Sequence, residues 1–281
     1  MHQKTVLITG CSSGIGRTAA LDFLDEEWEV YATARNPADI QTLGDRGANI
    51  ATLDVTDQGD VDRVVDRIID EEGRIDCLVN NAGYGQFGPI EDVPTEKVHD
   101  QFDVNVYGPH RLTRAVLPHM RSQGDGTIVN VSSVAGRISF PGGGVYSGSK
   151  FALEAMTDAL RAEVEAYDID AVLVEPGPVE TQFNQRLQDE VSGNGEDNEG
   201  VERSGAYEKF YKLFEDTQAL GGGGPGAVPP ERVAEDIVNA ASSTKPQARY
   251  QPGTVARVGV LGRFLPDTWR DALFGLARKL P

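Results

Sequence analysis

Tyr146 and Lys150 stand four residues apart in the stretch "GVYSGSKFALEAM", at the start of an otherwise apolar helical run. Residues at i and i+4 share one face of a helix. A phenol and an ammonium therefore project together from among Val145, Phe151, Leu153 and Met156. A free tyrosine has a pKa of about 10, too high to serve as a base near neutrality. A neighbouring ammonium favours the phenolate, and a second cation adds to this. Lowering the pKa by about two or three units corresponds to roughly 3–4 kcal/mol, which two close cations in a partly dry cleft can supply. Such a pair suits the movement of a proton on or off an oxygen, as carbonyl–alcohol interconversion by hydride transfer requires. Taken alone, a Tyr-x-x-x-Lys pair also describes an ordinary helix surface, so the rest of the chain must decide.

A hydride donor needs a seat, and "LITGCSSGIGRTAALDF" places a strand, a glycine-rich turn and a helix in succession. Gly10, Gly14 and Gly16 suit the turn, the close backbone approach and the helix packing, with Ser12, Ser13 and Ile15 between them. The new helix aims its N–H groups and positive dipole end at the gap, which favours an anion such as a dinucleotide phosphate. The spacing is G-x-x-x-G-x-G rather than G-x-G-x-x-G. Where an NAD site offers a carboxylate to the ribose 2′-hydroxyl, the second strand ends "YATARNP", with Ala34 and Arg35. A guanidinium there can pair with a 2′-phosphate in bidentate fashion. NADP (NADPH) is therefore the expected cofactor, with NAD possible. Ser13 and Arg17 can reach the same region, and the opposing reading of Arg35 is a solvated surface arginine.

The elements that must position these groups recur along the first two thirds. Buried-strand runs are "TVLITG" (5–10), "EVYATA" (29–34), "NIATLD" (49–54), "DCLVNN" (76–81), "TIVNVS" (127–132) and "DAVLVEP" (170–176). Helical patterns lie between them. In "VDRVVDRIIDEE", Val61, Val64, Val65, Ile68 and Ile69 share one face. Strands alternating with helices predict right-handed crossovers and a doubly wound parallel sheet with helices on both faces, an α/β Rossmann fold. One domain over 1–255 is expected, with a substrate-lid insertion at about 182–228 and a helical tail at 256–281. The amphipathic tail "LPDTWRDALFGLARKL" reads as a packed terminal helix ahead of a membrane-surface or partner-binding segment.

Composition bounds the partners. Forty-four acidic residues against 26 basic ones give the 281-residue chain a net charge of −18. Such a surface repels nucleic acid and anionic membranes. The acidity reads as adaptation to a salt-rich cytoplasm or as simple solubility; at 1 M salt the repulsion is screened to about 3 Å. The two cysteines, Cys11 and Cys77, have no metal-ligand spacing, and no metal site is expected. A reducing cytoplasmic location fits them. The chain enters its first strand directly, with no signal peptide and no run of transmembrane length expected.

"TGCSSGIG", "NNAG" (80–83), Asn105 in "DVNVYG", "VSS" (131–133), "YSGSK" (146–150) and "PGPVET" (176–181) follow one another in an order and spacing that resembles the short-chain dehydrogenases/reductases. The likeness runs from residue 4 to about 182. The glycine loop and the "VYATAR" strand look most like the branch containing 17β-hydroxysteroid and retinol dehydrogenases. The resemblance implies a catalytic set of Asn105, Ser133, Tyr146 and Lys150. Tyr146 is then the acid/base, and Ser133, rather than Ser132, bonds the substrate oxygen. Lys150 also meets the nicotinamide ribose. Asn105 holds a water that continues a proton relay from the lysine. A residue-level detail fits this role: Pro109 cannot donate to the carbonyl four residues back, which belongs to Asn105. A mere helix kink is the opposing reading. By motif position, Asp54 and Val55 meet the adenine ring, and Asn80, Ala82 and Gly83 line the nucleotide. Pro176, Gly177, Val179 and Thr181 hold the nicotinamide carboxamide.

The substrate is expected beyond the carboxyl ends of the strands, walled by 83–89, 137–145 and the insertion after Thr181. Phe87, Phe140, Phe183, Phe210, Tyr211 and Phe214 suit an apolar alcohol, ketone or aldehyde. Gly-rich borders at 191–205 and 221–226 suggest a lid. The resemblance also implies a homodimer or homotetramer, formed through the helices carrying Asn105 and Tyr146. The rival to an enzyme is a nucleotide-binding regulatory protein on the same fold. The presence of all four catalytic residues favours the enzyme, because a sensor does not need them.

Overall fold

The structure is a computed structural model that describes residues 3–181, 203–216 and 226–277. The strands are β1 (Thr5–Ile8), β2 (Glu29–Ala34), β3 (Asn49–Thr52), β4 (Cys77–Asn80), β5 (Gly126–Val131), β6 (Ile169–Val174) and β7 (Arg249–Tyr250). The helices are α1 (Gly14–Asp25), α2 (Gln41–Gly44), α3 (Gln58–Glu72), α4 (Thr95–Phe102), α5 (Gly108–Gln123), α6 (Gly144–Val164), α7 (Glu208–Asp216), α8 (Pro230–Ser242), α9 (Thr254–Leu261) and α10 (Asp267–Ala277). All seven strands are parallel, in the order β3-β2-β1-β4-β5-β6-β7. The strand order reverses between β1 and β4, which opens a crevice at their carboxyl ends.

Alternation along the strands shows why both faces must be covered. Val6 and Ile8 enter one buried cluster with Val30, Ala32, Val129 and Val172. Leu7, between them, enters the opposite cluster with Tyr31, Leu78 and Ile128. Ala19, Ala20 and Phe23 of α1 and Val233, Ala234 and Ile237 of α8 cover the first face. Val61, Val64, Val65 and Ile68 of α3, with Leu112 and Val116 of α5, cover the second. The Asp57 side chain caps α3 by accepting from the Asp60 N–H at 3.1 Å. A buried carboxylate ties the first and fourth strands together at their starts: Asp76 accepts from Thr5 N–H at 2.8 Å and pairs with Arg74.

The strand and helix assignments read from the sequence reappear, with the strand runs trimmed at their loop ends. The tail differs. It forms two helices, α9 and α10, joined by a 3₁₀ turn at Gly262–Phe264. Ala256 and Val260 pack inward, while Leu261, Phe264 and Trp269 stay exposed. Trp269, in the stretch read as a packed terminal helix, is exposed rather than packed.

Both cysteines are fully buried. Burial pushes the Cys11 thiol up to about 12, and it pushes Cys77 higher still, with Asp76 adding to the effect. Thiolate is the reactive form. Neither thiol should react with iodoacetamide at pH 8 in the native protein, and both should react once it is denatured. Mass spectrometry of the alkylated chain checks this.

Candidate active site

The glycine turn after β1 is locked to the turn after β4. The Thr9 hydroxyl oxygen accepts from the N–H groups of Asn81 and Ala82, each at 3.0 Å. The Asn81 side-chain amide donates back to Thr9 O at 2.9 Å and Gly10 O at 3.1 Å. Gly10 has φ of +72°, and a Cβ there would meet Ala82 Cα at 2.9 Å. A Cβ on Gly16 would lie 2.4 Å from Asn81 Nδ2 and 2.5 Å from Gly10 O. Only glycine fits either place. Ser13 precedes α1 in extended backbone, and its side chain makes no capping hydrogen bond. The Thr181 methyl closes on Gly14, where a Cβ would stand 3.0 Å away. The result is a cradle of backbone beside a helix N-terminus, with Ser12, Ser13 and Ile15 partly exposed around it. Side chains would fill that space, and a diphosphate fits it.

Around this cradle the predicted contacts separate. Arg35 is exposed at the end of β2. Arg17 reaches the same edge, donating to Asp39 O at 3.4 Å and to the Thr42 hydroxyl. Asp54 closes a local turn, accepting from Thr56 N–H at 2.9 Å and Thr56 Oγ1 at 2.7 Å. Val55 is buried, and its carbonyl accepts from Arg111. The Asn80 side chain is buried in the sheet. Its amide donates to Asn130 Oδ1 at 2.8 Å, and Asn130 in turn donates to Thr157 Oγ1 at 2.8 Å. That chain joins β4, β5 and α6. The locking residues are instead Thr9 and Asn81. Asn81 stood in the quoted "NNAG" run, where only its neighbours were singled out.

In the turn after β6, Val179 bridges Val228, and Gly177 lies against the start of α9, where a Cβ would meet Ala256 N at 3.3 Å. Pro176 O lies 3.5 Å from the Ser133 hydroxyl. The predicted carboxamide turn thus runs from beside the Ser133 hydroxyl to Thr181 at Gly14 of the glycine loop. Phe183 and most of the expected lid lie outside the described residues.

The four catalytic candidates converge. Tyr146 and Lys150 project from α6, and Lys150 Nζ lies 5.9 Å from the centre of the phenol ring. The ammonium donates to Val131 O at 2.9 Å. Ser133 follows β5, accepts from Ala135 N–H at 3.1 Å, and hydrogen-bonds the Tyr146 phenol. The Asn105 side chain grips the backbone of Tyr84 from both sides, donating to its carbonyl at 2.9 Å and accepting from its N–H at 3.1 Å. It also donates to Ser149 Oγ at 3.1 Å, and Ser149 donates to Tyr146 O at 2.7 Å. Gly83 lies between these groups: a Cβ there would be 3.0 Å from Asn105 Oδ1 and 3.7 Å from Lys150 Nζ. Ahead of Pro109 the chain forms a π-helical turn, Asp103–Tyr107, with Asn105 at its centre. Such turns insert an extra residue and often mark functional positions.

The mouth above Tyr146 is aromatic. Phe87 stacks on Tyr146 at 5.3 Å and on Phe140 at 6.0 Å. Phe210 closes on Gly142, and Gly88 N–H donates to Gly142 O at 2.8 Å. Tyr211 is buried beside Phe87, with its hydroxyl on Asp92 at 2.9 Å.

The protonation pattern differs from the sequence expectation. Burial pushes the Tyr146 phenol up to about 12, and the Ser133 hydrogen bond only partly opposes this. Burial likewise pushes Lys150 down to about 8, against the pull of Glu154. The protein's own groups thus leave Tyr146 a phenol and Lys150 an ammonium at pH 7. Lowering the phenol needs a further cation.

The sequence reading missed what lies under Lys150. Glu154 is one further turn along α6, 4% exposed, and it faces Arg137 at 3.4 Å and Arg249 at 3.3 Å. Glu175, fully buried, pairs with Arg249 at 2.9 Å and lies 3.6 Å from Arg137. Asp158, another turn on, pairs with Arg249 at 2.6 Å. Burial, reinforced by Glu175, raises Glu154 to about 7, against the pull of Arg249 and the Ser132 hydroxyl. The carboxyls of Glu154, Asp158 and Glu175 thus share the guanidiniums of Arg137, Arg249 and Arg161, the last 2.8 Å from Asp158, and Glu154 favours the Lys150 ammonium. The signal was present: Tyr146, Lys150, Glu154 and Asp158 recur every four residues.

The family model for the short chain dehydrogenases matches residues 4–192. An uncharacterized oxidoreductase of Escherichia coli, YbbO, is 37% identical over 96% of this chain and 94% of its own. The NADPH-dependent 3-dehydrocapnine reductase of Ornithobacterium rhinotracheale is 31% identical, with 96% of each chain covered. A short-chain dehydrogenase structure from Streptomyces avermitilis superposes with a TM-score of 0.79 at 33% identity, covering 99% of this chain and 97% of that one. Solved neighbours of this fold hold NADP in some cases and NAD or NADH in others.

Replacing Glu154 by Gln removes the carboxylate that favours the Lys150 ammonium, so Lys150 should titrate below its present value of about 8. The chain has seven lysines. NMR of lysine ε-carbons, assigned with Lys150→Met, can follow the group directly. An unchanged Lys150 titration would contradict the coupling.

Proposed function

The chain belongs to the short-chain dehydrogenase family, and from that premise we propose an NADP-preferring oxidoreductase in which Tyr146 exchanges a proton with an apolar alcohol or carbonyl substrate. The observation that carries this reading is the convergence of Ser133, Tyr146, Lys150 and Asn105 at the crevice beside the glycine cradle. Fold alone would not support it. A nicotinamide dinucleotide would be held by the turn from Gly10 to Gly16, by Ala82 and Gly83, and by the turn from Pro176 to Thr181. When bound, it supplies the hydride acceptor or donor.

The chain's own groups then divide the work. Ser133 lies within hydrogen-bonding reach of the Tyr146 phenol, so a substrate oxygen could be bonded by both. A phenol raised to about 12 is a proton donor rather than a base at neutral pH. In carbonyl reduction a developing alkoxide is the stronger base and takes that proton. The Lys150 ammonium stabilises the phenolate left behind. Asn105 keeps the loop at Tyr84 fixed beside α6.

NADP preference rests on Arg35 and Arg17, which put two guanidiniums at the end of β2. A relative of matching length is NADPH-dependent. An apolar substrate is supported by Phe87, Phe140, Phe210 and Tyr211 around Tyr146. We extend the proposal to the homo-oligomer implied by the family, which would cover the exposed Tyr107 of the π-helical turn and Phe151 and Met156 of α6.

The test is a panel of apolar ketones and aldehydes with NADPH and NADH at several salt concentrations. Tyr146→Phe should lower turnover about 10³-fold while leaving cofactor affinity within about threefold. Arg35→Asp should cut the preference for NADPH over NADH by about tenfold or more, the worth of a charged hydrogen bond. The reductive rate of the native enzyme should fall above about pH 8, where Lys150 loses its proton. Equal use of both cofactors by the native enzyme would defeat the Arg35 reading. Cofactor binding by folded protein without turnover on any substrate would favour a regulatory nucleotide binder instead.

A further inference from the structure

The charge of this chain is unevenly distributed. The last 28 residues hold five basic and two acidic side chains, a net of +3, so the preceding 253 carry −21. Among the described residues after residue 140, the same short segment holds the most exposed large apolar side chains. Val258 and Leu261 of α9 are each 61% exposed, Phe264 is 76% exposed and Trp269 is 65% exposed. Arg257 and Arg263 are exposed among them, Arg257 also within electrostatic reach of Asp236, while Arg270 is paired with Asp267.

The segment is firmly seated. Ala256 and Val260 are buried on the opposite side of α9. A Cβ on Gly259 would come within 2.8 Å of Val134, and one on Gly262 within 2.8 Å of Ile138. Val134 directly follows Ser133. The apolar surface is thus carried on a helix that packs against the wall of the catalytic crevice.

We propose that Val258, Leu261, Phe264 and Trp269, with Arg257 and Arg263, form a face that docks on an anionic lipid bilayer. Tryptophan, phenylalanine and leucine flanked by arginine suit the headgroup boundary, where the ring and chain carbons leave water and the guanidiniums meet lipid phosphate. Charge complementarity selects this occupant. A second copy meeting the patch across a two-fold axis would oppose like charges. The acidic body does not prevent docking, because its field is screened beyond about 10 Å at 0.1 M salt. Net charge taken over the whole chain argues against anionic membranes; the local distribution reverses that at this face. Among the described residues no helix is long and apolar enough to cross a membrane, so the contact is peripheral. If the substrate is apolar, as proposed above, the docked face would put the crevice beside the phase in which that substrate dissolves. Docking itself does not depend on the catalytic reading.

The experiment uses the full chain and sucrose-loaded vesicles, one set of phosphatidylcholine and one of equal parts phosphatidylcholine and phosphatidylglycerol. The chain has two tryptophans, and Trp28 is buried. A Trp28→Phe background therefore makes fluorescence a report on Trp269. The protein should sediment with the anionic vesicles, with a blue shift of Trp269, and bind the neutral set more weakly. The pair Phe264→Ser and Trp269→Ser should lower sedimentation at least tenfold without moving the thermal unfolding midpoint. The pair Arg257→Gln and Arg263→Gln should weaken binding to the anionic set by about thirtyfold and leave the neutral set unchanged. Absence of binding to anionic vesicles overturns the proposal. So does equal binding by all variants. Loss of an oligomer in the serine pair, with no vesicle binding by the parent, would identify the face as a protein contact instead.

Discussion

A buried ammonium must be balanced, and most of what surrounds the catalytic helix follows from that requirement. Lys150 is 6% exposed. Water is replaced there by one carbonyl, that of Val131 at 2.9 Å, and by the charge of Glu154 behind it. Glu154 would itself be intolerable in isolation, since an unpaired buried charge costs several kcal/mol, about 3–5 when a partner is removed. It is held by Arg137 and Arg249, which Glu175 and Asp158 also engage. The cluster draws on α6, the end of β6, β7 and the turn after β5. The active site and the outer edge of the sheet are one electrostatic unit.

The parallel sheet makes this possible. Its strands deliver Thr9, Asn81, Ser133 and Pro176 to a single edge from positions far apart in the chain. The hydrogen bonds between the first and fourth turns then close the glycine cradle against bulk. Asn105 joins the cradle side to α6 through Tyr84 and Ser149, from the middle of a π-helical turn. A one-residue insertion in a helix gives the side chain an aim that a regular turn would not.

Much of this was legible in the chain because it depends on local rules. Alternating apolar runs, a helix face at Val61, Val64, Val65 and Ile68, and glycines at Gly10 and Gly16 each have a short-range cause. What escaped depended on the third dimension. Asn80 and Asn81 are adjacent, and only the sheet geometry decides which one turns toward Thr9. The direction of the Tyr146 shift was misread because neighbouring charge was weighed without burial, which is the larger effect. Glu154 looked like one more acidic residue in an acidic chain until Arg249, 95 residues away, arrived beside it. The tail's amphipathic pattern was visible, but its exposed side required knowing what α9 already packs against.

Burial makes Tyr146 hold its proton strongly, and an added cation loosens it. Ultraviolet difference titration of the native protein against Tyr146→Phe isolates this phenol from the other tyrosines. Saturating NADP+ should move its ionisation well below the value of about 12 that the protein alone imposes. An ionisation near the ordinary value of about 10 in the protein alone, or one that NADP+ leaves in place, would contradict it.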